Sequence, residues 1–356
     1  MGGKGCSTAT FGLPSFIDTP KPLSLFPLSL RTFVRRILPL LLLLPTACQK
    51  PQTATPADEL ARQDSLALSV GILPVMECLP LYYAQQMGML DSLPAGIRLQ
   101  TFLSQMDCDT AVLRRHIAVA YGDIARALLM PADMRLLTSV DGRLSLVTAR
   151  TKRIRQLRHL NERMIALDRL SQSDYWSDEL MKQADMDLSA VYRPQINDIQ
   201  LRTSMLTEQL IDAALLPEPY ATQAVRQGNR RLFTANDSTL SFACFVASDS
   251  TLADTLRVQQ IRLLFDTYNK AAALLNSDRR NDDSVRALLC RHYNLPPEVA
   301  DSIKIPTFHP VHAPRPEGIG KVAEWLRSRE CPVSAQRCES LLSPLLHHEE
   351  KTESRH

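Results

Sequence analysis

The 356-residue chain has no G-x-S-x-G, no H-E-x-x-H, no P-loop and no G-x-G-x-x-G set between a strand and a helix. The hydrolase, zinc-peptidase and nucleotide-dependent classes therefore lose their signatures, and no catalytic residue or cofactor is predicted. It has no C-x-x-C and no Cys/His pair at ligand spacing, which argues against a metal site. The histidines at 116, 159, 292, 309 and 312 show no evident partner, and His347-His348 lie in a polar tail. No basic stripe with interleaved aromatics occurs, so a nucleic-acid partner is not expected. No repeat has solenoid spacing, and no apolar run reaches the roughly 20 residues that a membrane-spanning helix needs.

The most informative stretch is Arg36 to Cys48, RILPLLLLLPTAC. Arg31, Arg35 and Arg36 make a positive n-region, Ile37 to Leu44 an apolar core, and Leu44-Pro45-Thr46-Ala47-Cys48 a small-residue cleavage site ending in cysteine. This resembles a bacterial lipoprotein signal and predicts Cys48 as the lipidated first residue of the mature chain. A signal begins only a few residues before its basic cluster, so residues 1–30 read as upstream of the true start. Residues 1–47 are set aside from the fold. Removing Lys4, Lys21, Arg31, Arg35 and Arg36 against Asp18 alone shifts the formal charge from +3 to about −1.

From Cys48 to Ser65 the composition is Gln/Thr/Pro/Ala/Asp, which cannot bury a core and reads as a flexible tether. Short apolar runs then alternate with helix-period segments. The runs lie at 66–75, 97–104, 116–121, 134–140, 144–150, 162–168, 191–196, 212–217 and 240–248. The helical segments include PLYYAQQMGML, SDYWSDELMKQA and PYATQAVRQG, the last closed by Gly228. Alternation of this kind predicts an α/β fold with mostly parallel sheets. After Ser248 only helices are expected, at 251–276, 282–293, 296–303 and 316–329, with proline breaks between the later ones.

In an open α/β sheet, ligands bind beyond the carboxyl ends of the strands. Those ends carry Glu77, Asp107, Asp123, Asp174, Asp198 and Glu218, with no arginine among them, and Tyr82, Tyr121, Tyr175 and Trp176 nearby. Such a crevice suits an amine or cation held by carboxylates and by stacking on those rings. Each residue also has a plainer role open to it: Ser173, Asp174 and Asp198 as helix caps, Glu218 as a turn residue, and Tyr82 and Trp176 as core. Cys78, Cys108, Cys244, Cys290, Cys331 and Cys338 are an even set in an exported chain, so disulfides are permitted. Cys331–Cys338, near in sequence, and Cys78–Cys108, on neighbouring loops, are the candidate pairs, with buried free thiols as the alternative.

LSVGILPVMECLPLYYAQQMGMLD (68–91), LRRHIAVAYGDIARALL (113–129), MLTEQLIDAALLPEPYATQAVRQG (205–228) and KVAEWLRSRECP (321–332) together resemble the two-lobed type II periplasmic solute-binding proteins of the nitrate/taurine/sulfonate and thiamine-pyrimidine group. The resemblance implies lobe 1 at 66–149 and 237–345, including C-terminal helices, lobe 2 at 150–236, and a polar tail at 346–356. It implies solute contacts at Glu77, Ser104, Asp123, Ser173, Asp174, Asn197 and Glu218. The expected role is that of a monomeric, lipid-anchored binding component that captures a small polar, amine-bearing or pyrimidine-like solute for the permease and ATPase of an ABC importer. A biosynthetic enzyme on the same fold and a sensor or scaffold lipoprotein are the alternatives.

Overall fold

A computed structural model describes residues 66–91, 96–235, 240–277 and 283–343. Cys48, the signal, the tether and the polar tail lie outside these residues. In chain order the structure gives β1 (Leu68–Ile72), α1 (Leu79–Gln86), β2 (Ile97–Thr101), α2 (Gln105–Leu113), β3 (Val119–Asp123), α3 (Ile124–Leu129), β4 (Met134–Ser139) and β5 (Leu144–Thr148). Then follow β6 (Ile165–Ala166), α4 (Gln172–Gln183), α5 (Ile199–Thr207), β7 (Ala213–Pro217), α6 (Tyr220–Arg226), β8 (Arg230–Thr234) and β9 (Ala243–Ser248). The C-terminal helices are α7 (Asp249–Leu252), α8 (Thr255–Asn276), α9 (Asp283–Tyr293), α10 (Pro297–Ala300), α11 (Pro316–Ser328) and α12 (Ala335–Ser340).

The strands form two sheets, a five-stranded one ordered β2-β1-β3-β9-β4 and a four-stranded one ordered β6-β7-β5-β8. β3 and β9 are buried at every residue, as strands covered by helices on both faces must be. The edge strand β2 exposes part of its length, whereas the other edge, β4, is covered by the chain's last described segment. Leu136 donates to Leu341 O at 2.7 Å and Ser343 donates to Leu136 O at 3.0 Å, which leaves less of that edge open to another chain.

Both sheets are mixed rather than mostly parallel. β1 runs parallel to β2 and β3, but β9 returns antiparallel between β3 and β4. In the second sheet β6 and β7 are parallel, while β5 is antiparallel to both β7 and β8. The strands that carry the chain between the lobes enter and leave the sheets in opposite directions, which alternation of strand and helix does not reveal.

The crossing point also differs from the boundary expected at 149/150. β5 pairs with β7 and β8, so the chain enters the second lobe through Val140–Arg143, between β4 and β5. The run 191–196 is no strand either: it makes isolated bridges from Tyr192 and Gln195 to Met164 and Leu167. Pro194 has no N–H to extend the pairing, although its carbonyl accepts from Leu167 at 3.2 Å.

Polar caps set the helix starts around the cleft. Ser104 caps α2, Asp123 caps α3, Ser171 caps α4 and Asp198 caps α5, each accepting from a backbone N–H two or three residues on. Gly228, just past the end of α6, has φ +92°, a left-handed conformation that glycine adopts without a Cβ penalty. The largest core cluster takes residues from both lobes, including Val70, Leu79 and Phe245 from one and Leu216, Tyr220 and Ala221 from the other.

The six described cysteines are free thiols, so neither predicted disulfide is present. Cys108 sits in the core with its Sγ 3.6 Å from Tyr121 O, in the space left by the missing side chain of Gly71. Cys331 and Cys338 each direct Sγ to a backbone carbonyl, of Arg329 and Ser334, rather than to one another. Among the described residues no helix is long and apolar enough to cross a membrane.

Candidate functional site

Between the lobes lies a cavity of about 80 Å³ lined by Tyr121, Asp123, Asp168, Ser171, Ser173, Asn197 and Arg202, with Leu73, Val75 and Ile199 as its apolar wall. The lobes are shut around it. Asp123, at the end of β3, receives the N–H of Ala125 from its own lobe and that of Gln172, the first residue of α4, from the other, both at 2.7 Å. Its carboxylate thus joins two helix N-termini, where the exposed amides and the helix dipole favour negative charge. Burial nevertheless outweighs these bonds and pushes the Asp123 carboxyl up to about 7.

Asp168 follows β6 and is held by its backbone. Its N–H donates to Ser173 Oγ at 2.9 Å, and its carbonyl accepts from the hydroxyls of Ser171 and Ser173 at 2.7 and 3.0 Å. The side-chain Oδ1 is buried without a hydrogen bond, and the nearest cation is Arg126 at 3.8 Å. Burial raises its pKa, partly offset by Arg126 and Arg202. Arg126 is committed to Asp109 and also reaches Arg169 O across the lobes at 3.4 Å.

Arg202 corrects the expectation of a cleft without arginine. It lies on α5, one turn past Asp198, and is 3 % exposed. Nε donates to Ile196 O at 2.9 Å and Nη1 to Leu215 O at 2.8 Å, which fixes the guanidinium at the cavity wall. Desolvation lowers its pKa to about 10, so it remains charged at neutral pH. A survey of strand-end loops passes over it because it sits inside a helix. The alternation of Ile199, Arg202 and Thr203 on one buried face was the available signal.

Of the sequence-predicted contacts, Asp123, Ser173 and Asn197 line the cavity, as does Tyr121, whose ring packs edge-on against Phe245. Ser104 is close by but serves α2, accepting from Asp107 N at 3.1 Å. Asp174, in the first turn of α4, is fully buried, accepts from Leu170 N–H and faces Arg169 and Arg329. Glu218 pairs with Arg231 at 2.7 Å and accepts from Thr222 N–H, a turn role. Tyr82 is core, bonded to Thr101 Oγ1. Tyr175 and Trp176 belong to an aromatic cluster with Phe242, Trp325 and Phe233.

Glu77 lies outside the cavity lining, against the crossing between lobes. Its Oε1 accepts from Arg143 N–H at 3.0 Å, and a Cβ on Gly142 would stand 2.6 Å from that oxygen, so a larger residue there would have to displace the carboxylate. Oε2 is buried without a partner, and burial, with a lesser push from Glu218, raises the carboxyl to about 7. A carboxyl raised by folding contributes stability below its unfolded value of 4.5, and loses it as pH climbs through about 7. Glu77→Gln is therefore expected to match the parent at pH 5 and to exceed its stability by about 1–3 kcal/mol at pH 8. Urea unfolding at the two pH values measures it; equal differences at both would contradict the assignment.

The architecture is that of the type II periplasmic solute-binding proteins, two α/β lobes with a cleft between them and helices at the C-terminus. The chain is similar to the alkanesulfonate-binding protein SsuA from Xanthomonas axonopodis pv. citri, at 17 % identity and a TM-score of 0.65, over 79 % of this chain and 98 % of that one. It is likewise similar to the periplasmic nitrate-binding protein NrtA from Synechocystis PCC 6803, at 11 % identity and a TM-score of 0.67, over 82 % and 89 % of the two chains. A ligand-binding component of an ABC-type import system from Staphylococcus aureus matches at 15 % identity and a TM-score of 0.65, over 80 % and 98 %. No protein-family model and no curated protein sequence matches the chain.

Proposed function

We propose that this protein is the substrate-binding component of an ABC importer, a non-enzymatic receptor that captures a small solute carrying an amino group and delivers it to a permease. Cys48 anchors it by lipid to a bacterial membrane. It acts as a monomer whose shut form, stabilised by solute contacts from both lobes, is what the permease recognises.

The observation that carries the solute class is Asp168 Oδ1, a buried acceptor in the cavity wall with no hydrogen bond. A protonated amine supplies the missing donor and the missing charge together. Asp123 and Asp168 face the cavity with Arg202 as its one lining arginine, so once both carboxylates are charged the site has negative charge to spare. The sulfonate and nitrate named for the neighbours are anions, and here Asp123 already lies on the α4 N-terminus, where an anion would be drawn.

A thermal-shift screen of the chain from Cys48 onward tests this, with millimolar small primary amines, amino-sulfonates, aminopyrimidines, polyamines and nitrate. A solute at 100 times its Kd stabilises by about 2.7 kcal/mol. Small amines should raise Tm and nitrate should not. A rise with nitrate alone, or none with any compound, would sink the proposal.

A further inference from the structure

The first crossing between the lobes, Val140–Arg143, is bonded to the returning crossing beside it. Val140 N–H donates to Ala243 O at 3.0 Å, Ala235 N–H to Leu144 O at 2.8 Å, and the Ser241 hydroxyl to Val140 O. Asp141, in the middle of this crossing, faces two imidazoles: Oδ2 is 2.7 Å from His309 Nδ1, and Oδ1 is 3.5 Å from His312 Nε2. The segment that carries both histidines is fastened to the first lobe. Phe308 N–H donates to Asn276 Oδ1 and Asn276 Nδ2 to Phe308 O, Val311 N–H donates to Asn269 Oδ1, and His312 exchanges backbone hydrogen bonds with Ser139. The imidazoles therefore stay with lobe 1, while the carboxylate belongs to the part of the chain that must rotate when the lobes separate.

The contact of His312 is incomplete while the ring is neutral. Its Nδ1 lies 3.0 Å from Ala313 O, an arrangement that places the proton on Nδ1 and leaves a bare lone pair on Nε2. That nitrogen is buried without a hydrogen bond and points its lone pair toward the Asp141 carboxylate. A second proton converts this unfavourable contact into an ion pair, while His309 Nδ1 already holds the same carboxylate by a hydrogen bond at 2.7 Å. We propose that His312, with His309 bonded beside it, forms a proton-operated clamp on Asp141, which stiffens the inter-lobe crossing and favours the shut lobes as His312 takes up its second proton.

The surrounding groups agree in sign, with one exception. The two imidazoles, His312 first, hold the Asp141 carboxyl down to about 2, so it stays charged throughout, and its close approach in turn raises His312. Arg315, at the start of α11, opposes that rise, and the buried Tyr268 phenol of α8 stays neutral. On the other face of the crossing, Glu77 titrates near 7, with Glu218 beside it, and its protonation weakens the bond to Arg143 N–H as pH falls. Glu77 thus acts against the clamp and has to be silenced in the test.

Amide hydrogen exchange of the purified protein reads the crossing directly and needs no solute. With intrinsic rates corrected, protection of the Val140 and Ala235 amides in a Glu77→Gln background should rise about 5- to 10-fold from pH 8 to pH 6. The core amide of Val119 should change little. Adding Asp141→Asn, at an exposed position, should flatten the response, and so should His309→Gln with His312→Gln. No rise, an equal rise at Val119, or a rise that survives Asp141→Asn would each overturn the clamp. So would a response that needs added zinc and vanishes with a chelator, since the histidines would then serve a metal.

Discussion

Asp178→Ala should lower the stability of the protein by about 3–5 kcal/mol, the cost of removing one partner from a buried ion pair. Asp178 lies on α4 of the second lobe and is 1 % exposed. One carboxylate oxygen meets Arg193 Nη1 at 2.9 Å, and the other accepts the Trp325 indole N–H at 2.8 Å with Arg329 3.7 Å away. Trp325 is on α11 and Arg329 just beyond it, so this carboxylate ties the C-terminal helices to the second lobe. Arg193 already has Nε and Nη2 buried without partners, and desolvation lowers its pKa. Without Asp178 the guanidinium has only the more distant Asp174 to offset its burial, and the indole N–H has no acceptor. Asp178→Asn keeps an acceptor for Trp325 but drops the charge, and should fall between the two. Urea midpoints at constant m-value give the comparison; a loss below about 1 kcal/mol in the alanine variant would show that the cluster is offset by its own desolvation.

How much of this was legible in the sequence depends on what each residue answers to. Strands that are apolar throughout, such as Val119–Asp123 and Ala243–Ser248, declare themselves because helices cover both faces. The helix start at Asp198 is legible because a cap is a local hydrogen bond, whereas the preceding helix, expected to be capped at Ser173 or Asp174, is capped at Ser171. β8 was missed: Arg-Arg-Leu-Phe-Thr is an edge strand with no fully buried residue, and nothing in its own composition requires pairing. Which sheet receives β5 is a question of partners far along the chain, and a run apolar on both faces fits either. The acids of the site divided by the same logic. Asp123 combines a cap with a place in the cavity lining, whereas Glu77 and Glu218, no less prominent as loop acids, are used by the crossing and by Arg231. Asp168 and Arg202 escaped because their importance comes from burial at the cavity wall, which for a charged residue is set by partners distant in the sequence.

Asp168→Asn should weaken binding of whichever amine gives the largest thermal shift by at least about 30-fold, since truncating one partner of a buried charged hydrogen bond costs about 2–5 kcal/mol. The amide leaves a neutral acceptor and, in one of its two orientations, presents a donor to the ammonium. Arg202→Lys, which keeps the charge but cannot reach both carbonyls as the guanidinium does, should lose less affinity and more stability. The pH dependence separates this site from a neutral one. In the empty cavity burial holds the Asp123 carboxyl at about 7 and raises Asp168 as well, so below pH 7 the free protein carries protons where an ammonium needs negative charge. Binding then releases a proton, and affinity should fall by about tenfold for each pH unit below 7. The stability of the empty protein runs the other way: a carboxyl raised by burial stabilises below its unfolded value and loses that contribution as pH rises through about 7. Between pH 5 and 8 the empty and amine-saturated proteins should therefore diverge in Tm. Titration calorimetry in buffers of different ionisation enthalpy counts the released proton at pH 6. Release near zero there, or an affinity level from pH 5 to 8, would mean that the solute's charge does not meet Asp123 and Asp168.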